Sequence, residues 1–305
     1  MGRSAWTRRW DGSSATYDAE NPNEVRLEVS RWHEAPICLH GEVLVAVGDV
    51  HGCAMQLDAL LDFASYLLDT EARPKRLVFL GDLINRGPDT IGALKRWAMT
   101  EPLKGAARVE RLMGNHEQLL RIAIGRGPEA KAAWEMSLAM GACQFVAELR
   151  SVTEQPTAAI SRDLLQLGIG QDPVDLLRDG LRPFVYVGNV VLVHAGLDPT
   201  SDESEFLALS ADALPRADHH WAWIDKSFLT WRGGFRGRLV VHGHTPPDLY
   251  RFLTGTPNTF RFDGDRLCLD GGSAGTGTVV AGQLEDGRYR ILRASMPMQR
   301  GSPAS

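Results

Sequence analysis

Cysteine is scarce in this chain: four residues in 305, Cys38, Cys53, Cys143 and Cys268, with no Cys-x-x-Cys spacing among them. A disulfide framework or a structural zinc knot is therefore not expected, and free thiols in a reducing compartment fit better. No apolar run approaches the roughly 20 residues that span a bilayer. Met1 to Trp10 carries Arg3, Arg8 and Arg9, but no apolar stretch follows, so neither a secretory nor a twin-arginine signal is read there. Gly2 would open a myristoylation pattern, yet Trp6 stands where Ser or Thr is needed. A large excess of one charge is also missing. The net charge of -5 argues against a general nucleic-acid or membrane-surface binder. The expectation is a soluble, cytoplasmic protein. What is present is an ordinary globular mix, 44% hydrophobic and 23% charged, enough for a sizeable core.

The organisation is read from periodicity. Residues 1–36 are polar and without a clear period, and read as an N-terminal extension; residues 298–305 read as a loose tail. The span 37–297 reads as one domain. Val43–Val47, Arg76–Leu80 and Arg108–Met113 are short apolar or β-branched runs, alternating with helical spacing over 54–68 and 90–99. This β-α-β-α-β order predicts a parallel layer with crossover helices. Residues 118–182 are helical in composition and read as an inserted cap. From Pro183 the pattern turns to strands at 184–187, 190–193, 239–241, 267–269, 278–284 and 289–292, which suggests a second sheet packed on the first.

Five loops stand out because each places a metal-ligand side chain just after an apolar strand. They are Gly48-Asp49-Val50-His51-Gly52, Gly81-Asp82, Gly114-Asn115-His116-Glu117, His194-Ala195-Gly196 and Gly243-His244-Thr245. Ligands gather at the carboxyl ends of strands in α/β sheets, so the five loops can meet. Any one of them alone is more often a turn or a packed histidine. A mixed set of carboxylate, imidazole and amide ligands suits Mn, Fe or Zn.

GDVHG (48–52), GDLINRGPDT (81–90), GNHE (114–117), HAG (194–196) and HGHT (242–245) together resemble the phosphoprotein-phosphatase branch of the calcineurin-like metallophosphoesterases. Both bacterial and phage serine/threonine protein phosphatases and the symmetrical diadenosine tetraphosphatases are similar. The resemblance covers roughly residues 40–295. It implies an α/β fold of two packed mixed β-sheets flanked by helices, and two divalent metal ions. Asp49, His51 and Asp82 would hold one ion, and Asp82, Asn115, His194 and His244 the other. A water between the ions would be the nucleophile, His116 the general acid, and Arg86 the phosphate-binding fork.

Two positions depart from the protein phosphatases. Asn85 stands where an Asp usually pairs with the catalytic histidine. An amide can orient His116 but stabilises its cation less. The second phosphate-binding arginine is replaced by Trp223-Ile224-Asp225-Lys226, leaving Lys226, Arg232, Arg236 or Arg238 as stand-ins; a solvated surface cation is the plainer reading of any one of them. His219 and His220 lie in a polar stretch and are expected to be solvated. The sequence thus predicts a phosphomonoesterase of the serine/threonine phosphatase type. A dinucleoside tetraphosphatase or other nucleotide hydrolase is the alternative, and a weakly catalytic metal-binding interaction module the lesser one. The partner would be a phosphorylated protein or a small phosphoester, with no nucleic acid and no membrane.

Overall fold

A computed structural model describes the backbone of residues 7–10 and 14–18, and residues 25–125, 127–156, 160–215 and 219–296 in full. The tail read as loose at 298–305 lies outside the described residues.

Thirteen strands are described: β1 (Thr7–Trp10), β2 (Ser14–Asp18), β3 (Arg26–Ser30), β4 (His33–Glu34), β5 (Val43–Val47), β6 (Lys75–Phe79), β7 (Ala106–Arg111), β8 (Phe184–Val187), β9 (Val190–Val193), β10 (Leu239–His242), β11 (Arg266–Cys268), β12 (Thr278–Glu285) and β13 (Arg288–Ser295). They form two sheets. The larger runs β1-β2-β3-β13-β12-β5-β6-β7, with β4 beside β13, and the smaller runs β11-β10-β9-β8. β5, β6 and β7 are parallel, and so are β9, β10 and β11. Val43–Val47 is buried along its whole length, as a strand covered on both faces must be.

The apolar side chains fall into layers. Leu44, Ala46, Val78 and Leu80 of the large sheet face Val190, Leu192, Val241 and Leu267 of the small one, making the inter-sheet core. On the outer face of the large sheet, Val45, Val47 and Leu77 pack under helices α1 (Ala54–Leu67) and α2 (Thr90–Ala98). Trp221, Phe228 and Phe235 cover the outer face of the small sheet. The fold is the expected sandwich of two mixed sheets between helical layers.

Two expectations change. The C-terminal strands β12 and β13 do not join the second sheet. β12 lies antiparallel to β5 and inserts into the first, with Ala281 opposite Val47 and Leu284 opposite Leu44. Residues 26–34, read as part of an extension, pair with β13 instead: Leu27 stands opposite Ala294 and Val29 opposite Leu292, both inward-facing side chains buried. Alternation in Arg26–Ser30 (RLEVS) is what fits it to that edge.

Between β7 and β8 lies the helical insertion: α3 (Asn115–Ala123), α4 (Ala130–Ser137), a π-helical turn (Leu138–Ala142), α5 (Cys143–Thr153), α6 (Arg162–Ile169) and α7 (Gln171–Asp179). Phe145, Leu149, Leu165 and Val174 dock these helices onto the core beside α2.

Candidate metal centre

Three parallel strands of each sheet end at one place. Asp49 follows β5, Asp82 follows β6, and Asn115 opens α3 just after β7; His194 follows β9, His244 follows β10 and Asp270 follows β11. All six are essentially withdrawn from solvent apart from His244, which is partly buried. The loops are held in strained backbone. Nine non-glycine residues among those described have positive φ, and five belong here: His51, Asp82, Asn85, Arg86 and His244. Such conformations cost energy and collect where a site over-determines them. Close approach is also required at Gly243, where a Cβ would lie 2.0 Å from Asp49 Oδ1.

Glu117 straps the loops together. Its carboxylate accepts from the backbone N–H groups of Asp82 (2.8 Å), Leu83 (2.9 Å) and Gly114 (3.0 Å), with Ile84 at 3.3 Å. Burial and then the neighbouring Asp82 push its pKa up to about 7, against these donors, which favour the carboxylate.

The histidine tautomers are set by backbone carbonyls. His51 Nδ1–H donates to Ile84 O at 3.0 Å and His194 Nδ1–H to Leu80 O at 2.9 Å, while the Trp223 backbone favours a proton on the His244 ring. This turns a lone pair inward from His51 Nε2, His194 Nε2 and His244 Nδ1. His194 Nε2 and His244 Nδ1 each lie 3.1 Å from Asn115 Oδ1, and His194 Nε2 lies 3.4 Å from Asp82 Oδ1. Lone pairs thus face lone pairs. Turning the Asn115 amide would set its two hydrogens against four acceptors at 3.1–3.2 Å, namely both Asp82 oxygens and the two imidazoles. Two acceptors would still lack a hydrogen, whereas a divalent cation satisfies all of them. On the other side, His51 Nε2 lies 3.5 Å from Asp82 Oδ2. Two clusters result, both sharing Asp82: His51, Asp82 and His116, and Asp82, His194 and His244.

The electrostatics agree. Burial, then Asp270 and Asp82, hold Asp49 well above the usual carboxylate range. Asp270 is pushed up to about 6, chiefly by burial. Burial opposes ionisation of Asp82, but the His194 and His116 imidazoles outweigh it and hold Asp82 well below its ordinary value. Burial drives His51 down to about 4 and His244 to about 3. Burial holds the His51, His116 and His244 imidazoles below the value of a free histidine, while His194 is raised by Asp82 in spite of its burial; three buried acids with so little compensating charge make a site that favours divalent cations. The residues present therefore suit the metal pair.

His116 is buried, its backbone N–H donating to Asp82 Oδ1 at 3.1 Å. Its Nδ1 lies 3.0 Å from Asn85 Nδ2, and its Nε2, without a protein partner, lies 4.0 Å from Asp82 Oδ2. Burial holds its pKa well below that of a free histidine. Arg86 is exposed at the rim, with Nη1 3.2 Å from His51 Nε2.

Other sequence candidates fall elsewhere. Arg232 pairs with Asp263 at 3.1 Å and is more than half exposed, so its charge is spent on a solvated ion pair. Lys226 is exposed on the first turn of a short helix, Lys226–Thr230, capped by Asp225. Asp49 reaches the cluster through His244, whose N–H donates to its two oxygens at 3.0 and 3.1 Å. Two residues with a part in the site carry no role in the sequence reading: Asp270, which belongs to none of the five loops, and Glu117, quoted only within its motif.

His220, expected to be solvated, is buried. Its Nε2–H donates to Ser210 O at 3.2 Å and its Nδ1 accepts from Ala222 N–H at 3.1 Å, a pattern only the neutral ring can make. Burial lowers its pKa to about 4. Below pH ~6.5 the unfolded chain takes up a proton that the folded one refuses, so this contribution to stability is lost as pH falls from ~6.5 towards 4. Melting temperature plotted against pH should fall less steeply over that window in His220→Gln than in the parent. Equal slopes would remove His220 as a source.

The profile of the calcineurin-like phosphoesterases matches residues 43–272. A symmetrical bis(5'-nucleosyl)-tetraphosphatase of Janthinobacterium sp. is 31% identical over 55% of this chain and 48% of its own length. The asymmetrical bis(5'-nucleosyl)-tetraphosphatase PrpE of Geobacillus thermodenitrificans is 25% identical over 74% of this chain and 86% of its own. The chain thus spans about half the length of the first of these relatives. Among solved structures, the cold-active protein-tyrosine phosphatase of a psychrophilic Shewanella sp. superposes with a TM-score of 0.51 at 14% identity, covering 95% of this chain and 98% of that one, a likeness of fold alone. With the family profile lying over all five candidate ligand loops, the chain belongs to the calcineurin-like phosphoesterases, a family of metal-dependent phosphoric ester hydrolases built on a dinuclear divalent-metal centre.

Proposed function

We propose that this protein hydrolyses dinucleoside tetraphosphates or related nucleotide phosphoanhydrides, with Asp49, His51, Asp82, Asn115, His194 and His244 holding two divalent ions, manganese serving in vitro. When bound, the ions supply a Lewis-acid clamp on the phosphoryl oxygens and lower the pKa of water. The chain's own residues do the rest. Arg86 presents its planar guanidinium to phosphate oxygens from the rim. His116 Nε2, buried, without a protein partner and 4.0 Å from Asp82 Oδ2, gives a proton to the leaving group.

The observation that carries the substrate class is the 3.0 Å contact between Asn85 and His116. A neutral amide behind the imidazole does not stabilise its cation as a carboxylate would, and burial disfavours that cation further. An imidazole seldom protonated at neutral pH is a handicap when a serine or threonine alkoxide must leave. It matters little when the leaving group is a nucleoside phosphate, which departs as a stable anion. The serine/threonine phosphatase reading of the sequence therefore gives way to its alternative, in keeping with the tetraphosphatase names of the relatives.

The test is product analysis. Manganese-loaded protein should turn diadenosine tetraphosphate into two ADP, with a higher kcat/KM than it shows on phosphoserine peptides. A preference for the peptides, or no turnover of the dinucleotide, would remove the proposal.

A further inference from the structure

The loop that carries Asn85 and Arg86 does not hold itself. Both residues have left-handed backbones, φ +71 and +65, in succession. Neither is glycine, so something outside the loop must fix them. The helical insertion does so. Arg86 N–H donates to Gly141 O at 3.0 Å, and Arg86 Nε–H donates to Met140 O at 3.2 Å. Both carbonyls come from the π-helical turn Leu138–Ala142, where Gly141 sits at φ +100. A Cβ at Gly141 would lie 2.8 Å from Arg86 Cγ. Seven residues further on, Glu148 of α5 accepts from Ile91 N–H at 3.0 Å, at the start of α2. The insertion thus grips the loop 85–91 at two points.

A guanidinium has three edges. Here Nε is taken by the insertion and Nη1 faces His51 Nε2, so Nη2 and the outer side of Nη1 are left for a ligand. Were Nε released, the fork could rotate about its flexible stem and lose its bidentate aim. A π turn costs more than continued α-helix and is found mostly where a helix serves a site. At this turn it is what exposes two successive carbonyls to one arginine.

We infer that Gly141 is a positioning residue: the π turn of the helical insertion aims Arg86 at the substrate phosphate, and glycine is required there because any side chain would strike the arginine it positions. The inference rests on the phosphoester-hydrolase reading for its meaning, but not on any one substrate. It concerns an anion at Arg86 and is testable by binding alone.

The experiment is a double-mutant cycle on the full chain loaded with manganese, with inorganic phosphate as the probe in isothermal titration. Arg86→Ala should weaken phosphate binding by about tenfold or more, the scale of lost charge-assisted hydrogen bonds. Gly141→Ala should weaken it by a similar factor while manganese content stays close to the parent's and a cooperative melt shows the chain still folded. In the Arg86→Ala background the same Gly141 substitution should add almost nothing, because its effect passes through Arg86. If Gly141→Ala does not fold, Gly141→Asn takes its place: asparagine tolerates the left-handed backbone yet still puts a Cβ against Arg86. Wild-type phosphate affinity in the folded Gly141 variant, or an equal loss with and without Arg86, overturns the inference. A protein that binds phosphate in this pattern but hydrolyses no dinucleotide leaves the inference standing and removes the substrate reading instead.

Discussion

Asp82→Asn is expected to lower kcat on any phosphoester by on the order of 10³-fold, even in excess manganese. The reason is the division of its carboxylate: Oδ2 faces His51 at 3.5 Å, Oδ1 faces His194 at 3.4 Å, and the two ligand clusters have no other residue in common. An amide removes one negative charge from a buried site already short of cations to balance it, and leaves one side facing N–H. Metal-ion stabilisation of a phosphoryl transfer is worth several kcal/mol, and each ~1.4 kcal/mol is a factor of ten. The Glu117 strap should survive, since it grips the Asp82 backbone rather than its side chain. Melting temperature should therefore fall much less than activity does. Steady-state rates with melting curves on the same preparation check this; activity within tenfold of the parent would show that Asp82 does not join two ions.

His116→Asn has an expected effect that depends on what leaves. General acids contribute about 10²–10⁴-fold where the leaving oxygen needs a proton. On an alkyl phosphate the variant should lose a factor in that range. On diadenosine tetraphosphate, whose leaving group is a nucleoside phosphate, the loss should be about tenfold or less. The contrast follows from the placement of the imidazole: its Nδ1 meets an amide, and its Nε2 faces the site with no protein partner. Asn85→Asp in the otherwise native chain should shift the preference the other way, because a carboxylate would support the imidazolium. Rates on the two substrates, compared as a ratio for each variant, provide the check. A uniform loss would mean that His116 acts on the site as a whole rather than on the leaving group.

The sequence reveals much of the candidate site because its five candidate ligand loops follow short apolar strands, a local pattern. β5 and β9 fall where the apolar runs lie, at Val43–Val47 and Val190–Val193. What the pattern does not carry is non-local. Glu117 acts on the backbone of residues more than 30 positions away, and nothing in GNHE says so. Asp270 follows β11 and raises the pKa of Asp49 on another sheet, a neighbourhood that no local pattern announces. The hairpin of β12 and β13 is legible as a hairpin, but its partner strands are not, since alternation fixes which face is buried and not which sheet edge receives it. For β3 the signal is local: Leu27 and Val29 alternate with polar neighbours, inside a segment whose overall polarity reads as an extension. The π turn at Leu138–Ala142 leaves no mark in composition, because its function is carried by two carbonyl groups and a missing Cβ.

The central claim is a pair of ions sharing Asp82, and anomalous diffraction at the manganese edge from crystals of the metal-loaded protein addresses it directly. Two peaks are expected per chain, one in contact with His51 and one with His194 and His244, with Asp82 touching both. A single peak, or peaks that leave Asp82 or Asn115 out of contact, would contradict the account.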